Sequence, residues 1–273
     1  MSKIARRQHY ISRFYLRNFA EPIFSNKLNV FTRKDGRWEE RSPKGIGWFS
    51  HLFTVFNNAG KRTDEFDQFL KIKVEDPAAP ALKKMAQGRC LNKDERSAIA
   101  LFIALTAARS PDILRTTEHK YIHSITSEKR KEIQDLIELW SKMMGQPSMS
   151  FDNFLQQNQL GGIWIWTKSM QERLLNWKWH LLNTTLDKPF VTSDRPVYAE
   201  WDRDTNIRLV SFPVASTVAL LAINNSQISD GLTDDQNVCT LNRQTMDRAT
   251  DFVVACQRKF PCCKFLDKWK RCS

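Results

Sequence analysis

Trp177-Lys178-Trp179-His180-Leu181-Leu182 is where the periodicity of the chain changes. Trp177, Trp179 and Leu181 alternate with Lys178, His180 and Leu182, the period of two that turns one face of a strand to a core. Asp187-Lys188-Pro189 then reads as a turn, and Phe190-Val191-Thr192 as a strand running into Ser193-Asp194. Val197 to Trp201, Arg208 to Phe212 and Thr217 to Ile223 read as further strands. From Leu241 to Cys256 helical spacing returns, with Met246, Ala249, Phe252 and Val253 on one face.

Upstream the spacing is helical. Thr63 or Asp64 caps a helix holding Phe66, Phe69, Leu70, Ile72 and Val74. Pro77 and Pro80 are expected to break or restart it, with Ala81 to Met85 carrying on to Gly88. Asn92-Lys93-Asp94-Glu95 has the form of a capping box, and Ile99 to Ala108 is apolar nearly all round, as a central core helix would be. That helix ends at Arg109-Ser110-Pro111. A long polar helix is predicted from Asp112 to Met144, broken near Ser124 to Ser127. Short helices are predicted over Phe151 to Gln157 and Ile163 to Leu175, with Gly161-Gly162 between them.

Ahead of these, His9 to Ala20 reads as a short helix through Ile11, Phe14, Tyr15 and Phe19. Leu28 to Thr32 and Arg37 to Arg41 flank Lys34-Asp35-Gly36 as a strand–turn–strand unit. The expected class is therefore α+β: a helical middle, a C-terminal antiparallel sheet joined by the N-terminal hairpin, and a helix near the C-terminus. No Pro/Gly/Ser-rich linker divides the parts. One domain is expected: a basic helix and hairpin over 1–60, a helical part over 61–176, sheet and helix over 177–256, and a basic Cys-rich tail over 257–273.

A hydrophobic share of 41% in 273 residues excludes a chain disordered throughout, and only 9 Gly and 10 Pro exclude a collagen-like one. The net charge of +12 is concentrated at the ends. Residues 1–60 carry eleven basic against four acidic side chains, and the stretch from Arg248 carries seven against two. Where chain ends meet, such charge forms one surface that attracts nucleic acid, nucleotides or anionic lipid; as an ordinary solvated face it serves solubility. Val210 to Ile223 is too short and polar to span a bilayer, so no membrane partner is expected. No apolar run of signal-peptide length follows Lys3, Arg6 and Arg7, so a cytoplasmic residence is expected.

The six cysteines (Cys90, Cys239, Cys256, Cys262, Cys263, Cys272) do not make a disulfide scaffold. The last four lack paired knuckle spacing, so reduced thiols are expected rather than a zinc site. Gly45-Ile46-Gly47 has no strand before it and helix after it, and is no nucleotide fingerprint. Arg173 and His180 have the spacing of a helical ribonuclease pair, but Trp177-Lys178-Trp179 argues for strand between them.

His9-Tyr10-Ile11-Ser12-Arg13-Phe14-Tyr15-Leu16-Arg17-Asn18-Phe19 resembles the opening signature of a bacterial family, domain-of-unknown-function family 4238. Glu75, Arg109-Ser110-Pro111 and Thr192-Ser193-Asp194-Arg195-Pro196-Val197 match its later motifs in order and spacing. Ser12 departs from the Pro expected in many members, a difference of little expected consequence for a polar site. The resemblance implies a fold and no established activity.

The same residues carry a chemical reading. On one helix, Arg13 would lie a turn from His9, and Asp194 would project from a turn after a strand. His9, Glu75 and Asp194 as catalytic groups, with Arg13, Arg109 and Ser193 binding substrate, would suit phosphodiester cleavage. His9 then serves as general base or metal ligand, the carboxylates as ligands of a divalent metal where one is used, and the arginines hold phosphate. Against this stands a structural reading: His9 pins the N-terminus, Glu75 and Arg109 form a buried pair, and Ser193-Asp194 caps a turn. The functional expectation is a nuclease-like hydrolase acting on nucleic acid or a nucleotide, in a toxin or phage-defence role. The alternative is a non-enzymatic nucleic-acid-binding or protein-interaction module. The former requires the named side chains to converge.

Overall fold

Ile99 to Leu105 are all buried, and around this span of one helix the rest is built. The computed structural model describes residues 6–21, 25–56, 61–110, 126–143, 150–201, 207–224, 231–232 and 235–260. The chain has both α-helices and largely antiparallel sheets, an α+β fold. Its elements are β1 (Arg7–His9), α1 (Arg13–Leu16), β2 (Leu28–Thr32), β3 (Arg37–Arg41), β4 (Trp48–Ser50), β5 (Val55–Phe56) and β6 (Arg62–Thr63). There follow α2 (Glu65–Leu70), a π-helical turn (Lys71–Glu75), α3 (Asp76–Ala86), α4 (Lys93–Ala108), α5 (Ser127–Met143) and α6 (Phe151–Asn176). Last come β7 (Lys178–Asn183), β8 (Thr192–Ser193), β9 (Tyr198–Trp201), β10 (Ile207–Ala215), β11 (Val218–Ile223), β12 (Gly231–Leu232), α7 (Asp235–Arg248) and β13 (Phe252–Ala255).

Local chemistry explains α4. Asn92 accepts from the Glu95 N–H at 2.8 Å, and Glu95 accepts from the Asn92 N–H at 2.8 Å, a closed capping box. The helix packs along α6, which runs unbroken through Gly161-Gly162 where two short helices were predicted. The helix continues through the two glycines despite their weak propensity. α2 and α3 are likewise joined rather than separated. The π-helical turn lies immediately before Pro77, whose ring in a regular helix would crowd the carbonyl of Lys73; the wider turn there admits it. Of the long polar helix predicted over 112–144, α5 supplies the C-terminal part; residues 111–125 and 144–149 lie outside the described ones.

The strands form two main sheets where one was expected. One has the order β12-β7-β11-β10-β9, with β12 joining β7 in parallel, so it is not wholly antiparallel. The other has the order β3-β2-β13-β8. The N-terminal hairpin does meet C-terminal strands, but in this second sheet. The helix expected through Cys256 stops at Arg248, and β13 follows, every residue of it buried between β2 and β8. Apolar residues on both faces suit a central strand as well as a helix face, and the pairing decides.

The opening motif ties these parts together. Tyr15 Oη donates to the Pro213 carbonyl at 2.8 Å and bonds Thr192 Oγ1 at 2.6 Å, while Asn18 Nδ2 donates to the Val214 carbonyl at 2.9 Å. These acceptors lie where the β10–β11 register shifts between Pro213 and Ala215, which frees carbonyls of β10 from the ladder. Ile11, Leu16 and Phe19 are fully buried in the main core, which takes residues from Tyr10 to Val254. Among the described residues no helix is long and apolar enough to cross a membrane.

Candidate functional site

His9 ends a strand, not a helix: β1 pairs with β4 in the register Arg7↔Ser50, Gln8↔Phe49, His9↔Trp48. Helix begins only at Arg13, so the one-turn spacing read for His9 and Arg13 does not exist. The Arg13 charge nevertheless acts on the His9 ring, the chain bending at Tyr10 and Ile11 between them.

Ser12 holds the N-cap position of α1 with extended backbone, but its side chain does not cap. It donates to Glu75 Oε1 at 2.5 Å and accepts from Arg109 Nη2 at 2.6 Å. Arg109 Nη1 donates to the same Glu75 oxygen at 3.0 Å, which closes a triangle. Arg109 is the C-cap residue of α4 and is 1% exposed, against 24% for the Glu75 side chain. A guanidinium this deep requires its carboxylate. Its Nε makes no hydrogen bond.

The π-helical turn sets which carboxylates share this face. Asp67 and Glu75 are eight residues apart, which in an unbroken α-helix would leave them about 80° out of line. One residue of expansion makes them equivalent to an i, i+7 pair, about 20° apart. Asp67 accordingly feels both Glu75 and Arg109. Burial, then the Glu75 charge, pushes its carboxyl up to about 6 against the opposing pull of Arg109.

The His9 ring is near enough to this group to feel its charges. Burial, then the Arg13 charge, holds its pKa below the usual histidine value, against the raising effects of Glu75 and of a hydrogen bond to the Pro43 carbonyl. Among the described residues the buried Nε2 has no hydrogen-bond partner. The ring is neutral near pH 7 and presents a base. Arg13 is solvent-exposed at the mouth of the group.

His9, Arg13, Glu75 and Arg109 are thus brought together, and Ser193 and Asp194 serve elsewhere. Ser193 Oγ accepts from the Arg195 N–H at 3.0 Å and donates to the Thr245 carbonyl at 3.4 Å. Asp194 is fully buried and accepts from the backbone N–H groups of Thr250 and Asp251 at 3.1 Å, and from the Thr250 hydroxyl. Burial raises its pKa to about 6 although the Thr250 bonds pull it down. It fixes the chain between α7 and β13. Among the described residues no group of three or more His, Cys, Asp or Glu side chains is placed to hold a metal ion.

Two members of the group went unread in the sequence. Ser12, treated as an inconsequential departure, stands at the centre of the hydrogen-bond triangle; its signal was a hydroxyl inside the quoted motif. Asp67 gave none, because its alignment depends on the π-helical turn. Arg173 lies on α6 and His180 on β7, opposite Leu221, so they share no helix. Cys90 and Cys256 are free thiols, and Cys239 is disulfide-bonded. Cys262, Cys263 and Cys272 lie outside the described residues. Exposed Ile165 and Trp166 are neighbours on α6, while Trp177 is buried and Trp179 lies under the Arg96 guanidinium.

A family model described as a protein of unknown function, DUF4238, matches residues 7–259, and the chain belongs to that family. No curated protein and no solved structure matches it.

Proposed function

Starting from membership of a family whose description carries no chemistry, we propose that this chain is a hydrolase of phosphate esters, nuclease-like, acting on nucleic acid or a nucleotide. The observation that carries the proposal is the His9 ring, its buried Nε2 unpaired among the described residues, within reach of the charges of Arg13, Arg109 and Glu75. Exposed Arg13 meets the phosphate, with the Arg109 charge behind it. A water or sugar hydroxyl attacks phosphorus and gives its proton to His9 Nε2. The bond to the leaving oxygen breaks, and that oxygen takes a proton from Asp67, whose carboxyl is still partly protonated near neutral pH. Ser12 and Glu75 keep Arg109 in place rather than touching substrate.

The test is a hydrolysis panel of RNA, single- and double-stranded DNA and nucleotides, with divalent metal or chelator, on wild type and His9→Gln. The expected result is a rate about 100-fold lower in the variant at unchanged thermal midpoint, with loss of the acid limb of the pH profile. Turnover unaffected by His9→Gln, or none on any substrate with folded protein, sinks the proposal.

A further inference from the structure

A second feature adjoins the proposed chemistry, for Trp48, the cross-strand partner of His9, lines it. A cleft of about 720 Å³ opens between the β2–β3 turn, the Gly45–Phe49 segment and the Thr250–Phe252 segment. That is within the usual range for small-ligand sites. Its rim holds Arg33, Lys34 and Arg41 with Asp35 and Asp251. Arg41 bonds Glu39 at 2.7 Å and faces Asp35 at 3.9 Å, and Asp35 accepts from Thr32 Oγ1 at 2.9 Å. Lys34 makes no ion pair among the described residues, and both it and Arg33 are exposed. Asp251 is exposed at the same rim.

The opposite wall is aromatic. Trp48 lines the cleft with the Arg7 guanidinium 4.4 Å from its ring centroid. Tyr10 and Phe49 stack beside it with centroids 5.1 Å apart. The walls are held rigidly. Gly47, at φ +67°, accepts from the Tyr10 and Ile11 N–H groups, and Asp194 fixes Thr250 and Asp251 from behind. Rigid, part-aromatic and cationic at one side, the cleft combines a stacking surface for a flat ring with a seat for an anion.

We propose that this cleft binds a nucleoside phosphate: the base against Trp48, the phosphate at Arg33 and Lys34, and a sugar hydroxyl donating to Asp251. The site stands without any hydrolysis at His9, because it is read by binding alone.

Calorimetric titration of ATP, GTP, CTP, UTP, inorganic triphosphate and a 5′-phosphorylated oligonucleotide tests it on the full chain. At least one nucleotide is expected to bind, more tightly than inorganic triphosphate. Its affinity should fall at least about tenfold in Arg33→Glu/Lys34→Glu, with an unchanged thermal midpoint, since both residues are exposed in a turn. Trp48→Leu should erase the preference for the nucleotide over inorganic triphosphate while leaving triphosphate binding intact. The proposal is overturned by no nucleotide binding at about 1 mM, by unchanged affinity in the charge-reversed variant, or by equal affinity for inorganic triphosphate. Binding of the oligonucleotide alone also overturns it, and assigns the basic face to a polymer.

Discussion

Glu75→Met and Arg109→Met, singly and together, form a cycle whose outcome follows from the buried triangle. Removing Glu75 leaves a guanidinium that is 1% exposed with only the Ser12 hydroxyl as acceptor. Orphaning a buried charge costs about 3–5 kcal/mol. Because the Glu75 side chain is 24% exposed, water can reach that side, which places the loss at the lower end, about 3 kcal/mol. Removing Arg109 instead leaves a carboxylate that is partly hydrated and still bonded to Ser12, for about 2 kcal/mol. The double variant leaves no charge to orphan, so it should cost about 2 kcal/mol rather than the sum of about 5. Urea unfolding of the four proteins, extrapolated to water, gives these differences directly. The histidine NMR titration supplies an independent sign: His9 should titrate lower without Glu75 and higher without Arg109. Additivity of the two losses within about 0.5 kcal/mol would show that the pair is not coupled and refute the reasoning.

Further outcomes follow from single positions. Asp194→Ala should cost about 3 kcal/mol in urea unfolding, since two backbone N–H groups and a hydroxyl lose their acceptor. Gly47→Ala should lower stability by about 1–2 kcal/mol, because the residue sits at φ +67° and an added Cβ would lie 3.2 Å from Ile11 Cβ; an unchanged thermal midpoint would contradict this. His9 titrates below the unfolded value of 6.5, so its stabilising contribution is present above that value and is lost as pH falls through the folded one. His9→Gln should therefore flatten the stability profile below about pH 6.5. Asp67 has the opposite sign: its contribution is present below 3.8 and is lost as pH rises through about 6. Asp67→Asn should gain on wild type between about pH 4 and about pH 7.5 in paired unfolding curves, and a constant difference would remove the buried-carboxyl argument.

Elements coded by adjacent residues are legible in the sequence. The hairpin strands Leu28–Thr32 and Arg37–Arg41 match their predicted bounds because a turn at Lys34-Asp35-Gly36, with Gly36 at φ +62°, is coded by adjacent residues. The Asn92–Glu95 box and the core helix behind it are legible for the same reason. The errors fall where neighbours in space overrule neighbours in sequence. Phe252–Ala255 suits either a helix face or a buried strand until β2 and β8 pair with it from both sides. Gly161-Gly162 reads as an end, yet the helix runs through it and packs along α4.

Motif and chemistry suffice to single out His9, Arg13, Glu75 and Arg109 as candidates for a polar site. Which of them meet depends on how the elements pack, and packing replaces Asp194 with Ser12 and Asp67. Ser12 reaches Glu75 across 63 positions and Arg109 across 97. Local periodicity records which face of an element is apolar; it holds no record of which buried charge finds which partner, because that is settled by desolvation after the elements have packed.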